Sequence, residues 1–207
     1  MSALDLLTEG PAAGPTIALA HGAGAAMDSD WMNDISAALA SRGLRVVRFE
    51  FPYMQRRRED GKRRGPDRPP VLLATWRTVA ETLAGAGTLV IGGKSMGGRI
   101  ASMVADECGV DGLVCMGYPF HPPRAPDKLR TAHLQDLRTP TLILQGIRDP
   151  FGTPDEVAGY GLAGTIRIHW LEDGDHSFKP RVKSGRTLAQ NMAEAANEIS
   201  RFAEALE

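Results

Sequence analysis

Residues 88–102 read TLVIGGKSMGGRIAS, and the centre of this stretch fits two different motifs. Read as GGKS, it ends a phosphate-binding loop, with Lys94 and Ser95 as ligands of phosphate and magnesium. Read as GKSMG, it is a serine nucleophile on a tight turn from strand to helix. A phosphate loop needs a glycine, four intervening residues and then Gly-Lys-Ser, because that length of flexible backbone wraps around the phosphates. Counting back from Gly93, the first glycine position holds Thr88, and the loop positions hold Leu89, Val90, Ile91 and Gly92. These are mostly strand interior, so no cradle forms. Gly-x-Ser-x-Gly, in contrast, is complete from Gly93 to Gly97, with an apolar run before it and a helical segment after it. Small residues on either side of the serine let strand and helix approach closely around a strained backbone, although a glycine-rich turn without chemistry has the same pattern.

Outward from this turn, short apolar runs bounded by glycine, proline and charge recur: TIALA from Thr16, LRVVRF from Leu44, TLVIG from Thr88, GLVCMG from Gly112, TLILQG from Thr141 and TIRIHWL from Thr165. They read as strands. Helical periodicity lies between them over 30–41, 71–83, 98–107, 154–161 and 186–206. Alternating strands and helices predict an α/β fold, a three-layer α/β/α sandwich with a mainly parallel central sheet, formed by 1–207 as a single domain. The segment Glu50 to Pro70, EFPYMQRRREDGKRRGPDRPP, lacks apolar periodicity and reads as a long, solvated, mobile connector. Its cluster from Arg56 to Arg64 carries compensating acids, and attraction of an anionic substrate is the alternative.

In such a sheet ligands collect beyond the carboxyl ends of the strands. The residues following the runs are HGAGA, GGKSMGG, GIRDPFG and EDGDHSFKP. A serine hydroxyl is a weak nucleophile unless an imidazole removes its proton. His176, in the loop after the last strand, is the candidate base. His169 falls within a strand and His133 in a helical stretch, while His121 precedes Asp149 in the chain. The acid that holds the imidazole should come from the loop after the preceding strand, and Asp149 occupies it, with a turn-forming Asp-Pro as its other reading. Asp155 and Glu156 follow Pro154 as first-turn helix residues. Asp173 and Asp175 are too close in sequence to His176 to address its ring. Oxyanion donors are expected from the backbone N–H of Met96 and from Ala23 or Gly24 in the HGAG turn, which His21 organises by hydrogen bonding.

Composition limits the alternatives. A chain of 207 residues with a formal net charge of −1 does not have the character of a nucleic-acid binder, and no apolar run reaches membrane-spanning length. The start, MSALDLLTEGPAAGP, lacks the basic and apolar regions of a secretory signal. Cys108 and Cys115 have neither metal-ligand nor redox spacing and fit buried free thiols, so a cytoplasmic location is expected, with no metal and no cofactor. Composition and pattern leave the oligomeric state open.

The order Ser95, Asp149, His176 is that of an α/β-hydrolase. The segments HGAGAAMDSDWM, RFEFPYM, PDRPPVLLATW, GGKSMGGRIASMVADE, GYPFHPP, LRTPTLILQGIRDPFGT and DGDHSFKPR carry the likeness across nearly the whole chain. The chain resembles the small, lid-poor branch near the dienelactone hydrolases, and more closely the bacterial predicted hydrolases grouped with testis-expressed and chromatin-complex hydrolase-like proteins. The resemblance implies a serine-hydrolase fold with Ser95, Asp149 and His176 at the triad positions. Dienelactone hydrolases use a cysteine nucleophile where this chain has Ser95. Tyr118 to Thr139 is too short for a domain-sized lid, so an open site is expected, bordered by Tyr53, Met54, Phe120 and His121. Lys94 should help fix the serine turn, and Lys179 reads as a surface lysine. The expected activity is hydrolysis of a small carboxylic ester, thioester or related acyl compound. Acyl transfer or amide cleavage would use the same residues, and an interaction module that retains the fold is the reading from another class.

Overall fold

The computed structural model describes residues 5–85 and 87–207. The signal-sequence reading rests partly on residues 1–4, which lie outside the described residues. Seven strands form one sheet: β1 (Leu6–Glu9), β2 (Thr16–Ala20), β3 (Arg45–Phe49), β4 (Leu89–Lys94), β5 (Gly112–Met116), β6 (Thr141–Gly146) and β7 (Ile166–Leu171). Their spatial order is β1-β3-β2-β4-β5-β6-β7, parallel throughout except for β1, which runs antiparallel to β3.

Strands β2, β4, β5 and β6 are buried at every residue, the condition for a parallel sheet covered on both faces. Alternation within each strand divides the core in two. Ala18, Ile91, Leu113, Cys115 and Ile143 face one apolar cluster, built with Trp76 and Val79 of α3 (Pro69–Leu83) and Ile100 of α4 (Met96–Ser102). Ile17, Val90, Val114, Met116 and Leu142 face the other, built with Ile35 and Leu39 of α1 (Asp30–Ala40) and Ala196 and Ile199 of α7 (Leu188–Glu204). The helical spacing explains this: α3 buries Leu72, Trp76, Val79, Ala80 and Leu83, one face of a 3.6-residue repeat. Each large side chain so buried contributes about 1.5–3 kcal/mol relative to exposure.

All six predicted strands form; β1 was not foreseen, being a four-residue, half-buried edge. The segment expected as a mobile connector holds a helix, α2 (Pro52–Asp60), entered by a proline in its first turn and closed by Gly61 at φ 68°. The helix predicted over 98–107 divides into α4 and α5 (Ala105–Cys108), and that over 154–161 is one turn, α6 (Pro154–Val157). Between β5 and β6 the described residues hold only a short 3₁₀ turn, Ala132–Leu134. No described helix is long and apolar enough to cross a membrane.

The chain leaves β2 toward β3 on one side and continues from β4 toward β5 on the other. The strand order therefore reverses between β2 and β4, and a crevice opens there beyond their carboxyl ends. The HGAG turn follows β2 and Ser95 follows β4, so both border this crevice.

Candidate active site

Ser95 joins β4 to α4 with φ 51° and ψ −113°, a region that non-glycine residues rarely occupy and that costs about 1–3 kcal/mol. Its backbone is clamped: the Ser95 N–H donates to the Met116 carbonyl at 2.9 Å, and Arg99 N–H donates to the Ser95 carbonyl at 3.0 Å. Both motif glycines are sterically required. A Cβ on Gly93 would lie 2.2 Å from the Ala20 carbonyl oxygen, and one on Gly97 would lie 2.5 Å from the same atom. The elbow thus presses against the end of β2.

His176 Nε2 lies 2.9 Å from Ser95 Oγ, and its Nδ1 lies 2.7 Å from Asp149 Oδ2. A carboxylate only accepts, so Nδ1 carries the proton and Nε2 accepts from the serine hydroxyl. Asp149 is fully buried, with Oδ2 also accepting from Gln145 Nε2 at 3.0 Å and Oδ1 accepting from Phe151 N–H at 2.9 Å. That last contact is a local turn bond, so Asp149 shapes its own loop while holding the imidazole. The Phe151 ring packs on His176 with centroids 4.3 Å apart. Three strand ends, of β4, β6 and β7, contribute to one hydrogen-bonded chain.

The loop carrying His176 is fixed through three consecutive carbonyls. Lys94 Nζ donates to the His176 oxygen at 2.6 Å, Trp31 Nε1 to Ser177 at 3.1 Å, and Asn191 Nδ2 to Phe178 at 2.7 Å. Lys94 is buried beneath the rings of Trp31 and Phe178, and burial lowers its pKa to about 8. Asp149 and Asp175 act in the opposite direction.

The HGAG turn is organised by His21, which donates from Nδ1 to the Gly22 carbonyl at 2.7 Å and accepts from Phe51 N–H at Nε2. Burial lowers its pKa, which favours this neutral form. Among the described residues no protein acceptor meets the N–H of Ala23, Gly24 or Met96. A cavity of about 330 Å³ is lined by Ala23, Gly24, Trp31, Lys94, Ser95 and His176, among others. No three described His, Cys, Asp or Glu side chains are grouped to hold a metal ion.

The four expected border residues do not line this cavity. Tyr53 is buried and donates from its hydroxyl to the Ala23 carbonyl at 2.9 Å, so it supports the turn from behind. Met54 is buried on α2 and reaches a neighbouring cleft with Arg57 and Arg58. Phe120 packs on Tyr118 and Tyr160, and His121 has its Nε2 3.6 Å from Glu156. Aromatic residues after a strand end are legible as site neighbours, but apolar bulk drew these into the core. His133 contacts Ser102 and His169 contacts Glu194, away from Ser95, and Lys179 is exposed. Asp173 pairs with Arg181, and Asp175 accepts from the N–H groups of Ser177 and Lys179. Trp31, Phe151, Gln145 and Asn191 were not singled out from sequence. Gln145 and Phe151 flank Asp149 closely enough to have been found, whereas Trp31 and Asn191 act through contacts distant in the chain.

A family model described as Alpha/beta hydrolase domain matches residues 13–204. In structure the chain is similar to XC6422 from Xanthomonas campestris, an α/β serine hydrolase without lid, at 20% identity and TM-score 0.72, covering 97% of this chain and 89% of that one. It is similar to dienelactone hydrolase from Anabaena variabilis at 20% identity and TM-score 0.73, covering 98% and 91%. Est1E from Butyrivibrio proteoclasticus is similar at 13% identity and TM-score 0.70, covering 98% and 95%. At these identities the likeness concerns the fold.

Proposed function

The chain belongs to the alpha/beta hydrolase domain family, and from that premise we propose that it is a serine hydrolase acting on a small carboxylic ester, thioester or related acyl compound. The observation that carries this reading is the continuous hydrogen-bonded chain from Ser95 through His176 to buried Asp149. As Ser95 Oγ bonds to the acyl carbon, its proton passes to His176 Nε2, and Asp149 stabilises the imidazolium through Nδ1–H. The carbonyl π electrons move onto oxygen, where Met96 N–H and an N–H of Ala23 or Gly24 receive the negative charge. Collapse of the adduct breaks the bond to the leaving group, which takes the proton from Nε2 and departs as alcohol or thiol. Water, deprotonated by the same nitrogen, then attacks the acyl-serine; the second adduct breaks its bond to Ser95 Oγ, which takes the proton back from Nε2, and the acid leaves. Strain at Ser95 holds the hydroxyl at the tip of its turn, so its attack geometry is set before substrate arrives.

The test is hydrolysis of short p-nitrophenyl esters by wild type, Ser95→Ala, His176→Ala and Asp149→Asn. Each variant is expected to lose about a thousandfold or more in kcat, with Asp149→Asn acting by trapping the wrong tautomer. Ester cleavage that persists in Ser95→Ala would overturn the acyl-serine route.

A further inference from the structure

A second cleft, of about 460 Å³, adjoins the first and is lined by Ala23, Gly24, Arg57, Arg63, Arg64 and Gly65. Ala23 and Gly24 line both cavities, so the proposed oxyanion turn forms part of each wall. No acid lines this cleft. The neighbouring cations divide by partner. Arg56 pairs with Asp67, Arg58 with Glu50 and Asp28, and Arg64 with Asp60. Among the described residues no carboxylate pairs with Arg57 or Arg63. Among the described residues the Arg57 guanidinium makes one hydrogen bond, a long contact from Nη1 to the Gly24 carbonyl at 3.4 Å, which sets it beside the turn. The segment from α2 to Gly65 therefore balances some of its charge with nearby acids and leaves two of the three lining guanidinium groups, those of Arg57 and Arg63, without a described carboxylate partner.

From this arrangement we infer that the cleft binds a carboxylate or phosphate at the far end of the substrate, so that the preferred acyl compound is anionic. The inference rests on the acyl-serine reading for the other end of that substrate. A Cβ on Gly22 would lie 3.8 Å from Ser95 Cβ, and Gly24 is two residues further on. Two residues span at most about 7 Å, which puts Gly24, shared by both clefts, within about 11 Å of the serine. A flexible chain of several carbons joins the two points. Guanidinium groups suit such oxyanions because their planar donors can meet two oxygens at once.

Two measurements test this, one of them independent of catalysis. In the first, kcat/KM for the mono-p-nitrophenyl ester of adipic acid is divided by that for p-nitrophenyl hexanoate, a neutral ester of the same chain length. The wild-type ratio is expected to exceed one, to decline with added salt, and to fall by about tenfold in Arg57→Gln/Arg63→Gln, the scale of a lost charge-assisted hydrogen bond. Lys62→Gln, which removes one exposed positive charge from the same segment outside the cleft lining, is expected to keep the ratio, whereas each single arginine change lowers it. An equal fall in Lys62→Gln would show a diffuse field and overturn the site. In the second, adipate and inorganic phosphate are titrated calorimetrically into Ser95→Ala protein, with and without the double arginine change and with folding checked by circular dichroism. Binding lost with the arginines supports the cleft, and the stronger of the two ligands identifies carboxylate or phosphate. No binding of either ion overturns the proposal. If neither ester is cleaved while the ions bind through Arg57 and Arg63, the cleft stands and the acyl-serine reading fails.

Discussion

Lys94 occupies the variable position of the serine motif, yet its side chain ties the serine turn to the histidine loop. Burial lowers its pKa from 10.5 to about 8, a charge-burial cost of about 3 kcal/mol in the protonated form. The folded pKa lies below the unfolded one, so the cost is present in full below pH 8. It shrinks as pH rises toward 10.5, where the unfolded lysine also loses its proton. Lys94→Met keeps most of the volume but forfeits the bond to the His176 carbonyl. At pH 7 this variant is expected to be more stable than wild type by about 1–2 kcal/mol in urea unfolding, with the margin vanishing at about pH 9.5 and reversing above it, where only the lost hydrogen bond remains. Its kcat/KM should nevertheless fall by about tenfold, because the histidine loop loses a fixing point. A variant less stable than wild type at pH 7 would contradict this account. Ser95 offers a second comparison: both Ser95→Ala and Ser95→Gly remove the hydroxyl, but only glycine accepts φ 51° readily. Ser95→Gly should exceed Ser95→Ala in unfolding free energy by about 1 kcal/mol, and equal values would argue against stored strain. Ser95, Asp149 and His176 were legible because motif and chain order restrict them. The contact of Lys94 was not, since its partner lies far along the chain.

At the scale of elements, α7 does more than cover the sheet. Asn191, fully buried, donates to the carbonyls of Glu172 and Phe178 and so anchors both sides of the histidine loop. Phe178 itself has φ 70°, so this loop contains a backbone conformation that needs support. Asn191→Leu leaves two carbonyls without that donor, and a loss of about 2 kcal/mol in unfolding free energy is expected. Catalytic rate should fall with it while KM changes little, measured on a neutral ester; a KM effect alone would show that the loop does not position the base. The elements missed from sequence share a cause. Helix α2 carries only Tyr53 and Met54 as buried residues, followed by six consecutive charged or polar residues from Gln55 to Asp60, so it gives almost no apolar period. Pro52 and Gly61 were the available signals. Strand β1 is short and half-buried, and its pairing with β3 is a long-range choice that four residues do not announce. In α6, Thr153 and Glu156 form a reciprocal cap, but Gly159 and Gly161 follow at once and limit the helix to a turn.

Across the whole molecule, the strand order reverses between β2 and β4, and the proposed chemistry lies where that reversal opens a crevice. Strands β2, β4, β5 and β6 were readable as apolar runs because burial on both faces leaves little room for polar residues, and β3 and β7 keep enough apolar positions beside their charged ones. Pocket walls were less readable: Tyr53, Phe120 and His121 follow strand ends, but side-chain bulk and local partners turned them inward. Cavity shape is set by which helices meet over the sheet, and no single segment encodes it. The same topology explains why residues following β4, β6 and β7 can form one hydrogen-bonded chain despite their separation in sequence. The central claim is that this chain activates Ser95, and labelling by a fluorophosphonate followed by intact-mass and peptide analysis tests it most directly. One adduct per wild-type molecule is expected, located on Ser95, absent in Ser95→Ala and slowed by about a thousandfold in His176→Ala. A folded wild-type protein that takes no adduct, or an adduct that persists in Ser95→Ala, would contradict it.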